Sequence, residues 1–454
     1  MTEADRPMLQ PPTLQAGLLE RLFNVRRHEA LPVLLAALFF FCVLTALMLL
    51  RPARDALGMQ RGIEAVRWLF IGTALATLLV NPVFGWLVSR FRRMRFIAAT
   101  YLFFAASLVG FHLLLTLAPQ AVGVASGMVF YVWFSVFNLF ATMLFWALMA
   151  DRFSLQQAKR FFALIAVGGT LGAIAGPALA SVLAQPLGTA TLLLVAAGFL
   201  LLAIVAAWGV ARLQPERAHA AAAGDPEAPP LVSEQAVIGG RAWEGLRAVW
   251  HSPYLLGIAA YVLILAVMVT FLYFTRLQMV AALGEDLDLR TSWFARIDLV
   301  TQVATLLLQA VVAGHLMRRI GVAVTMALLP LTVVLGFVGL ALVGSLAALI
   351  VFEACFKSVQ RALMRPARET LFTVVGREDK YKSKAFIDTF VYRGGDVAGA
   401  QLEGLLGWLG MGLAALAMVA VPLALAWAAL GIWLGRAQQR LAPATTPAQP
   451  RRQA

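Results

Sequence analysis

The sequence predicts an all-α membrane protein with about 12 transmembrane helices, arranged as two six-helix pseudo-repeats. Three observations lead to this prediction. Of the 454 residues, 61% are hydrophobic and only 13% are charged. Apolar stretches long enough to cross a bilayer recur along nearly the whole chain, and the second half repeats features of the first. The mean hydropathy of +0.82 is far above that of water-soluble domains, so the solvent of this chain is a bilayer.

Each predicted span satisfies the length that a helix needs to cross the hydrocarbon core, roughly 20 residues at about 1.5 Å per residue. An even number of spans places both termini on the same side of the membrane. The predicted spans are 31–56, 64–89, 96–117, 122–149, 161–185, 188–211, 254–275, 292–314, 322–343, 346–374, 385–408 and 412–434.

Basic residues gather in the connections on one side of the predicted bundle. By the positive-inside rule that side is cytoplasmic, so we expect a multi-pass protein of the inner membrane with both termini in the cytoplasm. This topology accounts for most of the formal charge of +14, and we expect no nucleic-acid partner. The residues concerned are Arg26, Arg27, Arg90, Arg92, Arg93, Arg95, Lys159, Arg160, Arg318, Arg319, Lys380, Lys382 and Lys384.

The longest polar interval divides the chain into two bundles and begins with a run rich in proline, alanine and glycine, as flexible linkers do. A stretch before the first span has the composition of a helix that lies in the membrane interface. We therefore expect a cytoplasmic N-terminal segment with an interfacial helix (1–30), an N-terminal six-helix bundle (31–211), a cytoplasmic linker (212–252), a C-terminal six-helix bundle (253–435) and a disordered cytoplasmic tail (436–454).

Motifs for catalysis or for metal binding are missing from the sequence, so we expect neither an enzyme nor a cofactor. The glycine-rich run 168–177 has the look of a phosphate loop, but it lacks the lysine and the preceding strand. It lies inside an apolar helix, where small residues let two helices approach closely. Cys42 and Cys355 lie inside predicted spans, so we interpret both as packing residues.

The two halves share features in the same order, which indicates an internal repeat. Six-helix halves with a basic turn after the second helix of each half resemble the layout of the major facilitator superfamily. In such a bundle the first, fourth, seventh and tenth spans line a central cavity. The repeated features are 147–149 with 362–364, Gly168-Gly169 with Gly394-Gly395, and Arg92-Arg93 with Arg318-Arg319.

Charged residues within the predicted spans are the functional candidates, because a charge in hydrocarbon is costly unless it faces protein or water. In the tenth span, charges recur at every fourth position from 353 to 365 and form one slowly winding stripe. The substrate-binding candidates are Arg51, Arg54, Asn138, Lys357, Arg361, Arg365 and Arg393. The coupling or gating candidates are Asp55, Glu353, Asp396 and Glu403.

Two interpretations of these charges remain open. Arg51, Arg54, Lys357 and Arg361 are expected to meet in one basic pocket, where the arginine fork suits phosphate or carboxylate. Alternatively, the intramembrane cations pair with the nearly equal number of intramembrane acids. Four-residue spacing favours an intrahelical pair between 353 and 357, and another between 365 and 369.

Several motifs resemble those of the ATP/ADP translocases, the nucleotide transporters of plastids and intracellular bacteria. They are LRPARD at 50–55, FWALMAD at 145–151, QAKRFF at 157–162, RPARE at 365–369 and YKSKAFID at 381–388. The resemblance implies an exchanger of nucleotides in which Arg54 contacts phosphate. The chain departs from the family pattern where Phe134, Ser135 and Asn138 stand in place of a glutamate. Asp396 stands in place of a lysine.

Three functions are compatible with the sequence. The first is a secondary transporter that moves an anionic, phosphorylated metabolite by alternating access, with ATP/ADP exchange as its most specific form. The second is a proton-coupled transporter of another organic solute, with Glu353, Asp396 or Glu403 as the protonated carboxylate. The third is a non-transporting membrane scaffold. The expected partners are the lipid bilayer and a small anionic substrate, with the chain as a monomer.

The predicted topology is tested by labelling single cysteines from each side of the membrane, in a background without the two native cysteines. We expect Arg93→Cys, Ala223→Cys and Lys382→Cys to react only from the cytoplasm, because their connections carry or join the basic clusters. Asp286→Cys is expected to react only from outside. The reversed pattern would contradict the charge argument, and labelling of one site from both sides would contradict the number of spans.

Overall fold

The structure is a computed structural model that describes residues 27–90, 93–118, 120–213, 242–410 and 412–441. The predicted N-terminal segment up to residue 26, most of the predicted linker and most of the predicted tail lie outside the described residues. The described chain is α-helical almost throughout and contains no strand.

The described part of the first half contains six helices. Ser154 caps the fifth of them, accepting a hydrogen bond from the backbone N–H of Gln157, whose side chain reaches back to the backbone of Ser154. This capping box satisfies donors that a helix start leaves unpaired. Gly188 ends the same helix with a φ of 81°. The helices are α1 (Arg27–Gly58), α2 (Ile63–Arg90), α3 (Arg93–Leu117), α4 (Gln120–Arg152), α5 (Leu155–Leu187) and α6 (Thr189–Leu213).

The described part of the second half contains eight helices, beginning with a short amphipathic one. The eighth and ninth predicted spans are joined in one long helix, broken at Gly321, whose φ of 75° and ψ of 169° are non-helical. The helices are α7 (Ala242–His251), α8 (Pro253–Ala281), α9 (Leu287–Val343), α10 (Leu346–Val359), α11 (Arg365–Leu371), α12 (Arg377–Phe386), α13 (Tyr392–Trp408) and α14 (Leu413–Leu441).

Two π-helical turns interrupt the helices that carry most of the charge in the second half. One joins α10 to α11 at Gln360–Met364, and the other joins α12 to α13 at Ile387–Val391. Within the described residues, ten other helical segments are long and apolar enough to cross a membrane. The spans predicted at 346–374 and 385–408 are the two divided by these turns. π-Helical turns occur frequently at functional sites, so both turns draw attention to this region.

Apolar side chains form a separate core in each half, and a smaller third cluster joins the halves. The first core includes Phe39, Phe137 and Phe145, and the second includes Phe271 and Trp427. The joining cluster lies where α1 ends and α2 begins, against α8 and the start of α9. Its buried members are Ala56, Met59, Val66, Tyr131, Phe274, Leu277, Val280, Phe294, Ile297 and Ala400.

The glycine-rich run of α5 packs directly against the backbone of α1. A Cβ atom added to Gly168 or Gly172 would collide with the carbonyl oxygen of Ala37 or Phe41, and one added to Gly176 would lie 2.7 Å from the carbonyl oxygen of Thr45. The small residues therefore bring the two helices together, which confirms the packing interpretation and leaves no phosphate loop.

We expect Gly172→Ala to lower the free energy of unfolding by about 1 to 3 kcal/mol, because the added methyl group must displace the α1 backbone. Gly198→Ala is the matched control, since a Cβ at Gly198 in α6 meets no atom within 4 Å. It is expected to be neutral or to stabilise by up to about 1 kcal/mol through helix propensity. Thermal melting in detergent measures both. Equal melting of the two variants would contradict close packing of α1 on α5.

Candidate functional site

A cavity of about 800 Å³ lies between the two halves. Residues of α1, α2 and α4 line it from the first half, and residues of α8, the π-helical turns, α10, α11 and α13 line it from the second. Six of its lining side chains are cationic and four are acidic, so its wall has a positive excess. They are Arg51, Arg54, Lys357, Arg365, Arg368, Arg393, Glu353, Glu369, Asp388 and Asp396.

Aromatic rings surround Arg54 in the cavity wall. The carbon atom at the centre of its guanidinium group lies 4.6 Å from the ring centroid of Tyr131 and 5.4 Å from that of Phe134. The Tyr131 and Tyr273 hydroxyls, one from each half, are 3.1 Å apart and share a hydrogen bond. These contacts hold the Arg54 side chain by cation–π attraction at a fixed place between the halves.

Polar contacts between the halves close one end of the cavity. At the start of α2, Arg67 donates hydrogen bonds of 3.1 and 2.9 Å to Oε2 of Glu403 in α13. The other carboxylate oxygen accepts a bond of 2.6 Å from Gln278 in α8. At the start of α6, the backbone N–H of Thr189 donates to Oδ1 of Asp288 at 2.6 Å. Both contacts lie at the end where α1 is connected to α2.

The cavity extends to the opposite end of the bundle. Arg365 and Glu369 of α11 line it there and are exposed. Arg368 pairs with Asp388 at 3.2 Å, and Glu369 pairs with Lys384 of α12. The mouth is therefore edged by charged side chains of α11, α12 and the second π-helical turn.

Arg276 is the centre of a buried ion network beside the cavity, and it is only 1% exposed. Its Nη1 atom donates to Oδ1 of Asp298 at 2.8 Å and to Oε1 of Glu353 at 3.1 Å. Its Nη2 atom donates to the carbonyl oxygen of Phe294 at 3.1 Å and lies 3.8 Å from Oδ2 of Asp55. One guanidinium of the second half thus faces carboxylates from three helices.

Asp55 connects this network to the first half. The carboxylate is fully buried and accepts hydrogen bonds of 2.9 Å from the Tyr273 hydroxyl and from Nε of Arg54. Sequence reasoning missed Arg276, because it lies one residue beyond the predicted seventh span. The sequence did contain a signal for Arg276. It is a basic residue directly after a long apolar run, in a chain whose spans carry several acids that need a cation.

Most of the residues predicted from the sequence line the cavity, and three do not. Those in its wall are Arg51, Arg54, Asn138, Glu353, Lys357, Arg365, Arg393 and Asp396. Arg361 is not among the lining residues; its Nη1 atom donates to Oε1 of Gln302. Asp55 lies in the buried network, and Glu403 lies in the contact with Arg67 that closes the other end.

The two intrahelical pairs that four-residue spacing favours are wrong. Glu353 binds Arg276 rather than Lys357, and Glu369 binds Lys384 and Arg368 rather than Arg365. At Glu353, the guanidinium from another helix offers more donors in a fixed geometry than the neighbouring lysine does. Within the described chain, Lys357 and Arg365 consequently form no ion pair.

Asp396 and Arg393 do contact each other as their spacing of three residues allows. Nη1 of Arg393 lies 3.3 Å from Oδ2 of Asp396, which is 9% exposed. The pair faces the cavity from α13. A cation and a carboxylate are therefore both presented to the cavity at this position, where the translocase pattern has a lysine after the glycine pair.

Comparisons with known proteins give one family and one fold. A profile of the Major Facilitator Superfamily matches residues 33–359. The crystal structure of the nucleoside transporter NupG (D323A mutant) is similar with a TM-score of 0.61 and 10% identity, over 91% of this chain and all of that one.

Two further solved structures show the same fold. A bacterial homolog of the human lysosomal transporter Spinster, in an inward-facing and unoccupied conformation, has a TM-score of 0.59 and 13% identity, over 93% of this chain and all of that one. The POT family transporter PepTSo has the same score and identity, over 90% and 98% of the two chains. No similar protein was found among curated sequences.

We expect Arg276→Met to lower the free energy of unfolding by about 3 to 5 kcal/mol, because it leaves three buried carboxylates without their shared cation. Lys357→Met is the matched control, since Lys357 has no ion pair with a described residue and its removal leaves no carboxylate unpaired. We expect its melting temperature in detergent, measured in gluconate without chloride or phosphate, to stay within about 2 °C of the parent. Equal loss in both variants would contradict the central role of Arg276.

Proposed function

The chain belongs to the major facilitator superfamily, and from that premise we propose that it is a secondary transporter that moves an anionic, phosphorylated metabolite by alternating access. The observation that carries the proposal is Lys357. Its side chain faces a cavity of about 800 Å³ and has no ion-pair partner among the described residues. A cation held free in a confined, partly apolar space is suited to a negatively charged cargo.

Neighbouring cations extend this anion site along the cavity. Arg51 approaches a carboxylate only at 3.7 Å, between its Nε atom and Oδ2 of Asp298, so much of its hydrogen-bonding capacity is free. Arg365 contributes a further cation at the mouth. An arginine offers a planar fork to phosphate oxygens and a lysine offers a compact point charge, so together they favour a phosphoryl group over a neutral solute.

A nucleotide is the most specific cargo that we propose, with ATP/ADP exchange as the form that the translocase-like motifs imply. Phe70, Phe134 and Tyr392 offer ring faces within the same cavity for a planar base. Asp396 opposes a phosphate at its own position, and Arg393 beside it offsets that repulsion. The base would lie among the rings, with the phosphates towards Lys357.

Alternating access would use the polar contacts between the halves as the movable seal. We propose that the end closed by Arg67 and Glu403 faces outward and that the mouth at Arg365 faces the cytoplasm of a cell whose inner membrane holds the protein as a monomer. When the halves separate, polar groups can replace their hydrogen bonds to each other by hydrogen bonds to water. Apolar surfaces that lose their packing gain no such replacement from water.

Proton coupling is the alternative, favoured by the position of Asp396. This carboxylate lines the cavity and has Arg393 as its ion partner at 3.3 Å. If a cargo drew Arg393 away, Asp396 would lose its stabilising cation and become a proton acceptor. In that case the cargo need not be phosphorylated, and a proton gradient would drive its transport.

We expect Lys357→Met to reduce exchange of labelled ATP into vesicles preloaded with ADP by about tenfold or more, because each lost charge-assisted contact is worth about 1.5 to 3 kcal/mol. Arg296→Met is the matched control, since Arg296 is an exposed helical cation stacked on Trp293 at 4.9 Å and does not line the cavity. Its exchange rate is expected to match the parent.

The same vesicles distinguish the alternative by an imposed pH gradient. An exchange rate that does not change with the pH gradient supports the anion exchanger. Uptake that requires the gradient, and loses that requirement in Asp396→Asn, supports proton coupling, because an amide cannot cycle a proton. No transport of phosphorylated solutes under either condition would overturn the proposed substrate class.

A further inference from the structure

The membrane-embedded centre of the protein holds more cations than carboxylates. The buried network contains three carboxylates and three arginines that contact them, which balance in charge. The members are Asp55, Asp298, Glu353, Arg51, Arg54 and Arg276. Lys357 of α10 and Arg361 of the first π-helical turn follow Glu353 along the chain at intervals of four residues and add two further positive charges.

Other described groups do not neutralise this excess. Arg361 donates to the amide oxygen of Gln302, which carries no charge. Asp396 is already paired with Arg393.

One internal rearrangement would give Lys357 a partner without removing the excess. Oε2 of Glu353 has no hydrogen-bond partner among the described residues, and Lys357 follows it by one helical turn. A turn of the lysine side chain towards Glu353 would give Lys357 a carboxylate. That carboxylate is already bound to Arg276 through Oε1, so the count of charges would stay two in excess.

We propose that a small inorganic anion, of chloride or phosphate chemistry, binds between Lys357 and Arg51 when organic cargo is absent and competes with that cargo. This inference rests on the proposed function, because it uses the same cavity. A cavity charge in low dielectric is stabilised by a counterion at short range. The hydroxyl of Thr73 and the amides of Asn138 and Gln360 in the same wall offer hydrogen bonds to the anion's remaining surface.

The test is thermal melting of the purified full-length protein without organic cargo, in gluconate at constant ionic strength. Replacing gluconate by chloride, or by inorganic phosphate, is expected to raise the melting temperature by about 2 °C or more along a saturable curve, since a ligand of the folded state stabilises it. The same anions are expected to weaken binding of a labelled nucleotide competitively. A response to chloride, to phosphate or to both supports the inference and identifies the anion.

Two variants show where the anion binds. The anions should no longer raise the melting temperature of Lys357→Met. They should still raise that of Arg296→Met, because Arg296 lies outside the cavity wall. A rise that persists in Lys357→Met would overturn the inference, since the anion would then bind elsewhere. The inference would also be overturned if the melting temperature of the parent stayed constant over 100-fold changes in the concentrations of both anions. Lys357 would then be neutralised by groups of the protein itself.

Failure of this inference and failure of the proposed function give different results. If inorganic anions have no effect while labelled nucleotide still binds and depends on Lys357, the transporter proposal stands and the resident anion is excluded. If inorganic anions stabilise the protein through Lys357 while no phosphorylated solute is transported, the anion site stands and the cargo is of another class.

Discussion

The ion network around Arg276 is the interaction on which the arrangement of the site depends. A guanidinium that is almost fully buried must be neutralised, and here Asp298 and Glu353 do so from within its own half while Asp55 approaches from the other. The network consequently fixes the ends of α1 and α8 against α9 and α10. It also engages Glu353, which leaves Lys357 one turn further along without the partner that its spacing would offer.

Contacts within each half differ in kind from contacts between the halves. Within the first half, glycines of α5 bring its backbone against that of α1, and such close packing is rigid because no side chain can yield. Between the halves, ion pairs and hydrogen bonds such as Arg67 with Glu403 and Tyr131 with Tyr273 lie beside the apolar cluster that joins the halves. Polar contacts of this kind can be exchanged for other hydrogen bonds, whereas the close backbone packing within the first half cannot.

The charge of the cavity follows from the same arrangement. The carboxylates near its closed end are engaged in the buried network, whereas the cations at Lys357 and Arg365 are left facing the cavity. The positive excess of the cavity wall therefore follows from which groups pair in the network, and it does not require that the sequence contain many more cations than acids within its spans.

The sequence by itself determined the fold class and most members of the site. Length and hydropathy are local properties, so the apolar runs predicted α1 to α6 and α8 within a few residues, and the cost of charge in hydrocarbon singled out Arg51, Arg54, Lys357 and Asp396. The contact of Arg393 with Asp396 is also compatible with helical spacing, because both residues lie on one helix three positions apart.

Only the tertiary structure decided which charges pair. Glu353 has Lys357 as its neighbour in sequence, yet it binds Arg276, which is 77 residues away. Arg67 and Glu403 meet across the two halves, and Arg361 turns from the cavity to Gln302. An ion pair depends on distance in space and on the competition among all nearby donors, and neither quantity is contained in the spacing of residues along one helix.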